Sequence, residues 1–377
     1  MHILSTSTHV RKQWRCLSAF FLLALSLLLA ACGQGGAQTP TNALGTPCST
    51  TIQLLGAGST FDAPLFSKMF AAYKPIACGV TVTYLGGGSA AGWNALFEQS
   101  VDFAATDVPL TDGALARSQY GAIIHIPITL GTEAIIYQVP GVTTLLKLNG
   151  QVLADIFLGK ITTWNDPAIT QLNPGTSLPH LGIKVIHRSD GSGTTGIFTQ
   201  YLSQVSPEWK TTVGASYNVN WPIGEGFKGN GGVADGVQNV NGSIGYVELS
   251  YALRLHLPYV QLQNAAGNYI APSIAGAQAA AASMQAVPSD LRFYIVNTQG
   301  VDSYPISGYS RVIVYQHQDD ANKGRAIANL LWWMIHDGQR YAEPLHYAQL
   351  PAIMVAKSEA QIRSLICGNS QISCYQP

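Results

Sequence analysis

Arg188-Ser-Asp-Gly-Ser-Gly-Thr-Thr195 brings together groups suited to holding an anion. Arg188 supplies a fixed positive charge on a planar fork. Ser192, Thr194 and Thr195 supply hydroxyl donors, and Gly191 and Gly193 let the backbone come close to a ligand. The octet sits between an apolar run centred on Val185 and Ile186 and a helical spacing of Ile197, Phe198, Tyr201, Leu202 and Val205. A strand, a short loop and a helix start make an anion site, because the first helical N–H groups have no intrahelical partner and the dipole is positive there. The same residues would also cap a helix after a tight turn, and the octet alone leaves both readings open. No Lys follows the last glycine, which argues against a nucleotide P-loop. Gly-x-Ser-x-Gly is not matched around Ser192, which argues against a serine-nucleophile elbow. His187 adjoins Arg188 on the expected strand and so faces the other way, as a structural residue. Glu248 ends an apolar strand and is expected to pair with a backbone donor or a Lys.

The elements that would position this loop recur along the chain. Thr51–Leu55 reads as a strand running into Gly56-Ala-Gly-Ser-Thr-Phe61, and a helix follows at Leu65, Phe66, Met69, Phe70 and Tyr73, with Pro64 in its first turn. Val80–Tyr84 leads through Gly86-Gly-Gly-Ser89 to a helix marked by Trp93, Leu96 and Phe97. Val101–Ala105 ends at Thr106 and Asp107, with a helix starting near Asp112. Such strand ends gather at one edge of an open α/β sheet and form its ligand crevice. Two apolar runs, Ile123–Ile128 and Glu133–Val139, flank Thr129–Thr132 and suggest a crossing between lobes. Further helices are expected at Leu153–Trp164, with a stop at Gly159, and at 232–239, Ala275–Met284 and Ala326–His336. Further strands are expected at Gly242–Glu248, Leu291–Asn297 and Ser310–Tyr315. The alternation predicts an α/β protein with mainly parallel sheets, in two lobes about a cleft.

The chain has 377 residues, zero formal net charge and 11% charged residues. That balance argues against a nucleic-acid binder. Arg11, Lys12 and Arg15 precede the apolar run Leu17–Leu29, which is too short for an ordinary membrane span and reads as a leader. The run ends Leu29-Ala-Ala-Cys32, which is similar to the processing box of bacterial lipoproteins and implies lipidation of Cys32. Residues 33–47 are polar and small and read as a tether. Cys48, Cys78, Cys367 and Cys374 remain, and four cysteines allow three pairings. We favour Cys48–Cys78, each just before a strand, and Cys367–Cys374, closing a short terminal loop. None has metal-ligand spacing with a His, so no metal and no cofactor are expected.

An ordered series of segments carries a more specific resemblance: Leu55–Phe61, Tyr84–Ser89, Val101–Asp107, Ile156–Lys160 with Trp164, Arg188–Thr194, Trp221–Gly224, Lys228–Asn230 and Gly242–Glu248. Over roughly residues 51–350 the chain resembles the phosphate-binding proteins of ABC-type phosphate importers. The resemblance implies a two-lobed, hinged periplasmic-binding-protein-like (type II) fold. It assigns 50–129 and 301–377 to lobe one and 130–300 to lobe two, after the leader at 1–31 and the tether at 32–49 read above. It implies a phosphate site of Thr60, Phe61, Ser89 and Asp107 from lobe one, and Arg188, Asp190, Ser192, Gly193 and Thr194 from lobe two. Ala90 and Ala91 depart from the family, whose members often carry a Ser and a Gly there. It further implies an exported, lipid-anchored monomer that gives inorganic phosphate to the transmembrane subunits of an ABC permease and catalyses no reaction.

Phosphate carries at least one proton over most of the neutral range. An ionised Asp107 only accepts hydrogen bonds, so it can take the phosphate O–H while repelling sulfate, which has none to give. Charged hydrogen bonds contribute roughly 1.5–3 kcal/mol each, so a neutral cradle can reach the ~8 kcal/mol of micromolar affinity without a lysine cluster. A binding module for another oxyanion, a phosphate sensor and a phosphatase are the rival readings. The last would need a metal cluster or an activated nucleophile.

Overall fold

The computed structural model describes residues 51–375, except Thr143, Gln285 and Gln371. The leader, Cys32, the tether and Cys48 lie outside the described residues. Strand β1 (Ile52–Gly58) leads into helix α1 (Ala63–Tyr73), β2 (Val80–Gly86) into α2 (Ser89–Phe97), and β3 (Phe103–Thr106) into a single helical turn. Strand β4 (Ile123–Gln138) follows, then α3 (Gly150–Phe157), β5 (Lys184–Arg188), α4 (Gly193–Val205), β6 (Glu225–Phe227), α5 (Gly229–Asn239) and β7 (Ser243–Glu248). Helix α6 (Ile274–Ala282), strand β8 (Ser307–Tyr315), α7 (Ala321–Ile335) and α8 (Ala352–Arg363) complete the main elements.

Eight strands form one sheet in the order β2-β1-β3-β8-β4-β7-β5-β6. Both ends are parallel, as expected for strand–loop–helix units, but the middle is antiparallel: β8 runs against β3 and β4, and β4 against β7. The sheet is therefore mixed rather than mainly parallel. The two apolar runs around Thr129–Thr132 are a single strand that changes partner. Its first part pairs with β8 as far as Thr132↔Ser307, and its second part pairs with β7 from Glu133↔Glu248. The small-residue segment Thr129–Thr132 lies at that handover.

Alternation along β4 feeds three cores. Ile126, Ile128 and Leu130 join α1 and α7 in the first, through Leu65, Phe66, Met69, Leu330, Leu331 and Met334. Ile135 and Tyr137 join Phe157, Phe198, Tyr201 and Tyr246 in the second. Ala134 and Ile136 join Val233, Val237 and Val247 in the third. One sequence expectation needs correction. Leu291–Asn297 is not a strand but irregular chain. Its Leu291, Phe293 and Ile295, with Ala277 and Ala280 of α6, pack into the first core, although the sequence division placed residues 130–300 in the second lobe. The apolar residues at 291, 293 and 295 are buried as alternate residues of a strand would be, but the backbone carbonyls bond the Arg311 guanidinium instead of a neighbouring strand: Leu291 O accepts from Nε at 3.0 Å and Phe293 O from Nη2 at 2.7 Å.

Strands β1 and β2 are parallel neighbours with Ile52 opposite Val80. Cys78, just before β2, is disulfide-bonded. Cys367 and Cys374 are bonded to each other. Among the described residues no helix is long and apolar enough to cross a membrane.

Candidate functional site

Every residue that the sequence placed in the site lies at a loop or helix start where the two sides of the sheet face each other. Thr60 and Phe61 follow β1, Ser89 is the first residue of α2, and Asp107 follows β3. Opposite them, Arg188 ends β5, Ser192 caps α4, and Gly193 and Thr194 are its first residues. The two sides touch. Gly193 N–H donates to Ser89 Oγ at 3.1 Å, over 104 residues of sequence. Asn230, in the first turn of α5, donates to Thr60 Oγ1 from its backbone N–H and its amide, both at 3.0 Å. Tyr251 and Tyr347 donate to the Thr60 and Phe61 carbonyls at 2.7 and 2.6 Å, which fixes the first loop. Phe61 N–H, expected to face the ligand, donates to Ser59 Oγ at 2.9 Å.

The pattern of hydroxyl bonds has a direction. Thr60 Oγ1 accepts from Asn230. Thr194 Oγ1 accepts from Arg188 Nη1 at 3.3 Å and Asn230 at 3.1 Å. Ser192 Oγ accepts the capping bond from Thr195 N–H at 3.0 Å, and Ser89 Oγ accepts from Gly193. A hydroxyl that accepts from the protein keeps its own proton to give. Three buried hydroxyls and the half-buried Thr60, from both sides, thus retain donors, which suits an anion. Capping and anion binding, the two readings of the Arg188–Thr195 loop, are compatible in Ser192.

Arg188 is buried, and Asp190 holds its fork through Nε at 2.7 Å and Nη2 at 2.5 Å, leaving Nη1 toward Thr194. Asp190 also accepts from Gly229 N–H at 3.0 Å. Burial pushes its carboxyl up, but these bonds to Arg188 and Gly229 outweigh it and hold the carboxyl below its usual range. Asp190 therefore fixes the orientation of the Arg188 guanidinium. His187 stacks on Trp221 at 4.6 Å, in keeping with a structural role.

Asp107 is also buried, and both its oxygens are engaged. Ser59 Oγ donates to Oδ2 at 2.7 Å, and Ser310 Oγ lies 2.9 Å from Oδ1. Burial raises its carboxyl to about 6, while the two serines and the charges of Arg188 and Arg311 restrain the rise. Oδ2 faces the other side of the cleft, since a Cβ on Gly193 would fall 2.5 Å from it.

Several site residues were not singled out from the sequence. Ser310 is 203 residues from Asp107, and only the β3–β8 pairing brings it there. Ser59 and Asn230 lay inside quoted segments but carried no separate signal. Arg311 is buried and, among the described residues, forms no ion pair with a carboxylate; its guanidinium bonds carbonyls, including Asp107 O at 3.3 Å and Tyr309 O at 2.8 Å. Glu133 is fully buried at the strand handover, and among the described residues neither carboxyl oxygen has a hydrogen-bond partner. Burial and the charge of Asp107 push its carboxyl well above the usual range. Glu248 accepts from Ser250 N–H at 2.9 Å and contacts Tyr347 Oη at 3.0 Å, so the expected backbone donor is present. Among the described residues no group of three or more His, Cys, Asp or Glu side chains is placed to hold a metal ion.

Residues 39–337 match the profile of the PBP superfamily domain. The chain is 40% identical to "Phosphate-binding protein PstS" of Pasteurella multocida over 338 residues, covering 89% of this chain and 96% of that protein. It is 34% identical to the protein of the same name from Methanocaldococcus jannaschii, over 90% of this chain and 91% of that one. The fold resembles that of a phosphate binding protein from Stenotrophomonas maltophilia, with a TM-score of 0.61 and 19% identity over 82% of this chain and 94% of that one. It also resembles a high affinity periplasmic phosphate-binding protein (PfluDING) bound with phosphate, with a TM-score of 0.65 and 20% identity over 82% and 93% of the two chains.

Proposed function

As the chain belongs to the PstS phosphate-binding proteins of the PBP superfamily, we propose that it binds inorganic phosphate for uptake through an ABC importer. The observation that carries this reading is the set of four hydroxyls, Thr60, Ser89, Ser192 and Thr194, each accepting from the protein and free to donate, around Arg188 and Asp107. Arg188 Nη1 and the first N–H groups of α4 supply positive potential. Asp107 Oδ2 takes the phosphate O–H. Thr60, Ser89 and Asp107 bind from lobe one, and Arg188, Ser192 and Thr194 from lobe two, with Asp190 steering the guanidinium; the Phe61 N–H is spent on Ser59 and the Gly193 N–H on Ser89, so these two shape the cradle. Each lobe holds part of the donor set, so phosphate favours the closed arrangement. The lobes divide at about 129/130 and 300/301, with α6 and Leu291–Ile295 leaning on lobe one.

The protein catalyses no reaction in this reading and works as a monomer outside the cell membrane, tethered by lipid on Cys32 and delivering phosphate to the permease's transmembrane subunits. Replacement of Cys32 by Ser should move the protein from the membrane to the soluble fraction; unchanged partitioning sinks the anchor. Calorimetric titration of residues 48–377 with phosphate tests the binding itself. Saturable one-to-one binding at micromolar concentration or below is expected, and absence of heat and of thermal stabilisation overturns the reading.

A further inference from the structure

Behind Asp107 lies a second carboxyl that phosphate cannot touch. Asp62, the residue before α1, is fully buried, and its Oδ2 lies 2.5 Å from Ser310 Oγ. The same Ser310 Oγ lies 2.9 Å from Asp107 Oδ1. A hydroxyl has one proton, so it can donate to only one of two carboxylates. The other contact needs a further proton, and a carboxyl must supply it. Tyr84 Oη lies 3.3 Å from Asp62 Oδ1, and the other groups that act on Asp62 are Asp107, Tyr251 and Tyr347, all neutral or acidic. Asp107 instead has Arg188 and Arg311 acting on it. Both cations favour the charge on Asp107, so the proton belongs on Asp62. The Asp62 O–H then donates to Ser310 Oγ, and the Ser310 O–H donates to Asp107 Oδ1.

We propose that Asp62, acting through Ser310, is a specificity-determining residue: it keeps the pair's single proton on the far side of Asp107, so that the oxygen facing the cleft stays an acceptor. The site then admits an anion that brings its own proton and refuses one that has none. Asp62 is a positioning residue, since it turns the Ser310 hydroxyl toward Asp107 and lets that bond hold Asp107 ionised. Burial and the Asp107 charge push the Asp62 carboxyl well above its usual range, in keeping with this placement. The inference rests on Asp107 reading the phosphate proton, as proposed above.

Two measurements on the full-length chain, solubilised in an alkyl glucoside that has no carbonyl, test it. Infrared difference spectra near neutral pH should show that Asp62→Asn loses part of the wild type's protonated-carboxyl absorption, the share of Glu133 and Glu248 remaining. A band of unchanged intensity means that Asp62 is ionised, which overturns the inference whether or not phosphate binds. Phosphate and sulfate competition across pH gives the second readout. Sulfate should begin to compete only as pH falls to about 6 in the wild type, where Asp107 takes a proton. Ser310→Ala removes one bond to the ionised form and should move that onset up by about one pH unit. Asp62→Leu should move it the same way, while Asp62→Asn, whose amide N–H can still donate to Ser310, should return it toward the wild type. An onset unmoved in Ser310→Ala, or equal in the Leu and Asn variants, overturns the inference. Failure of the wild type to bind phosphate at all would instead sink the functional reading, leaving the infrared result to decide the proton's place.

Discussion

Gly193 is where the two sides of the cleft come closest, and Gly193→Ala follows directly from that geometry. A Cβ there would lie 2.5 Å from Asp107 Oδ2, 2.6 Å from Ser89 Oγ and 2.8 Å from Asp107 Cβ. Ordinary contacts need roughly 3.5 Å, so the cleft must stay open by about 1 Å. The 3.1 Å bond from Gly193 N–H to Ser89 cannot survive that separation, and a ligand gripped from both sides loses its fit to one of them. Two charge-assisted bonds at roughly 1.5–3 kcal/mol each make about 3–6 kcal/mol, or roughly a hundredfold to ten-thousandfold in affinity. The fold itself should tolerate the change. Gly193 opens α4, no positive φ is found there, and alanine favours a helix over glycine by up to ~1 kcal/mol. Calorimetry with phosphate, beside thermal melts with and without it, separates the effects. The expected variant melts like the wild type without ligand and loses the phosphate-induced rise in Tm. Wild-type affinity in Gly193→Ala would refute the closed arrangement as the binding state.

Arg188→Lys keeps the charge but loses the fork held by Asp190 and the Nη1 bond to Thr194; phosphate affinity should fall by roughly tenfold to a hundredfold, read by the same titration. Glu248 is raised by burial to about 8. An acid with a raised folded-state pKa stabilises fully below its unfolded pKa of ~4.5 and loses that stability as pH rises through the folded value. Melting temperature should therefore decline between about pH 5 and 8, and Glu248→Gln should flatten the decline in part, because Glu133 and Asp62 are raised as well.

Local chemistry was legible where a loop carried its own signature. The octet at Arg188–Thr195, the Gly-rich turns before α1 and α2, and Asp107 at the end of β3 all stand where strand-to-helix reasoning puts them. The change of partner within β4 was visible as two apolar runs around a small-residue centre, though not as one continuous strand. What the sequence hid depends on long-range pairing. Ser310 reads as an ordinary strand residue until β8 sets it beside Asp107 and Asp62. Asp62 stands just before α1, but its side chain makes no capping bond and is drawn to Ser310 instead. The glycines also held more than loop freedom. Gly88, Gly191 and Gly193 leave room for Asp190, Ala90 and Asp107 to approach across the cleft, and Ala90, a departure from the family pattern, is the small residue that Gly191 meets. Leu291–Ile295 misled because buried apolar spacing is shared by strands and by irregular chain pinned to a buried guanidinium.

The central claim is that Asp107 reads a proton on the bound anion, and calorimetric titration near pH 8 with phosphate and with sulfate tests it most directly. Asp107 is then ionised, so the wild type should bind phosphate tightly and show no heat with sulfate at a hundredfold higher concentration. Asp107→Asn, whose amide can donate, should lower the phosphate-to-sulfate preference by at least about tenfold. Sulfate bound by the wild type as tightly as phosphate would contradict the account.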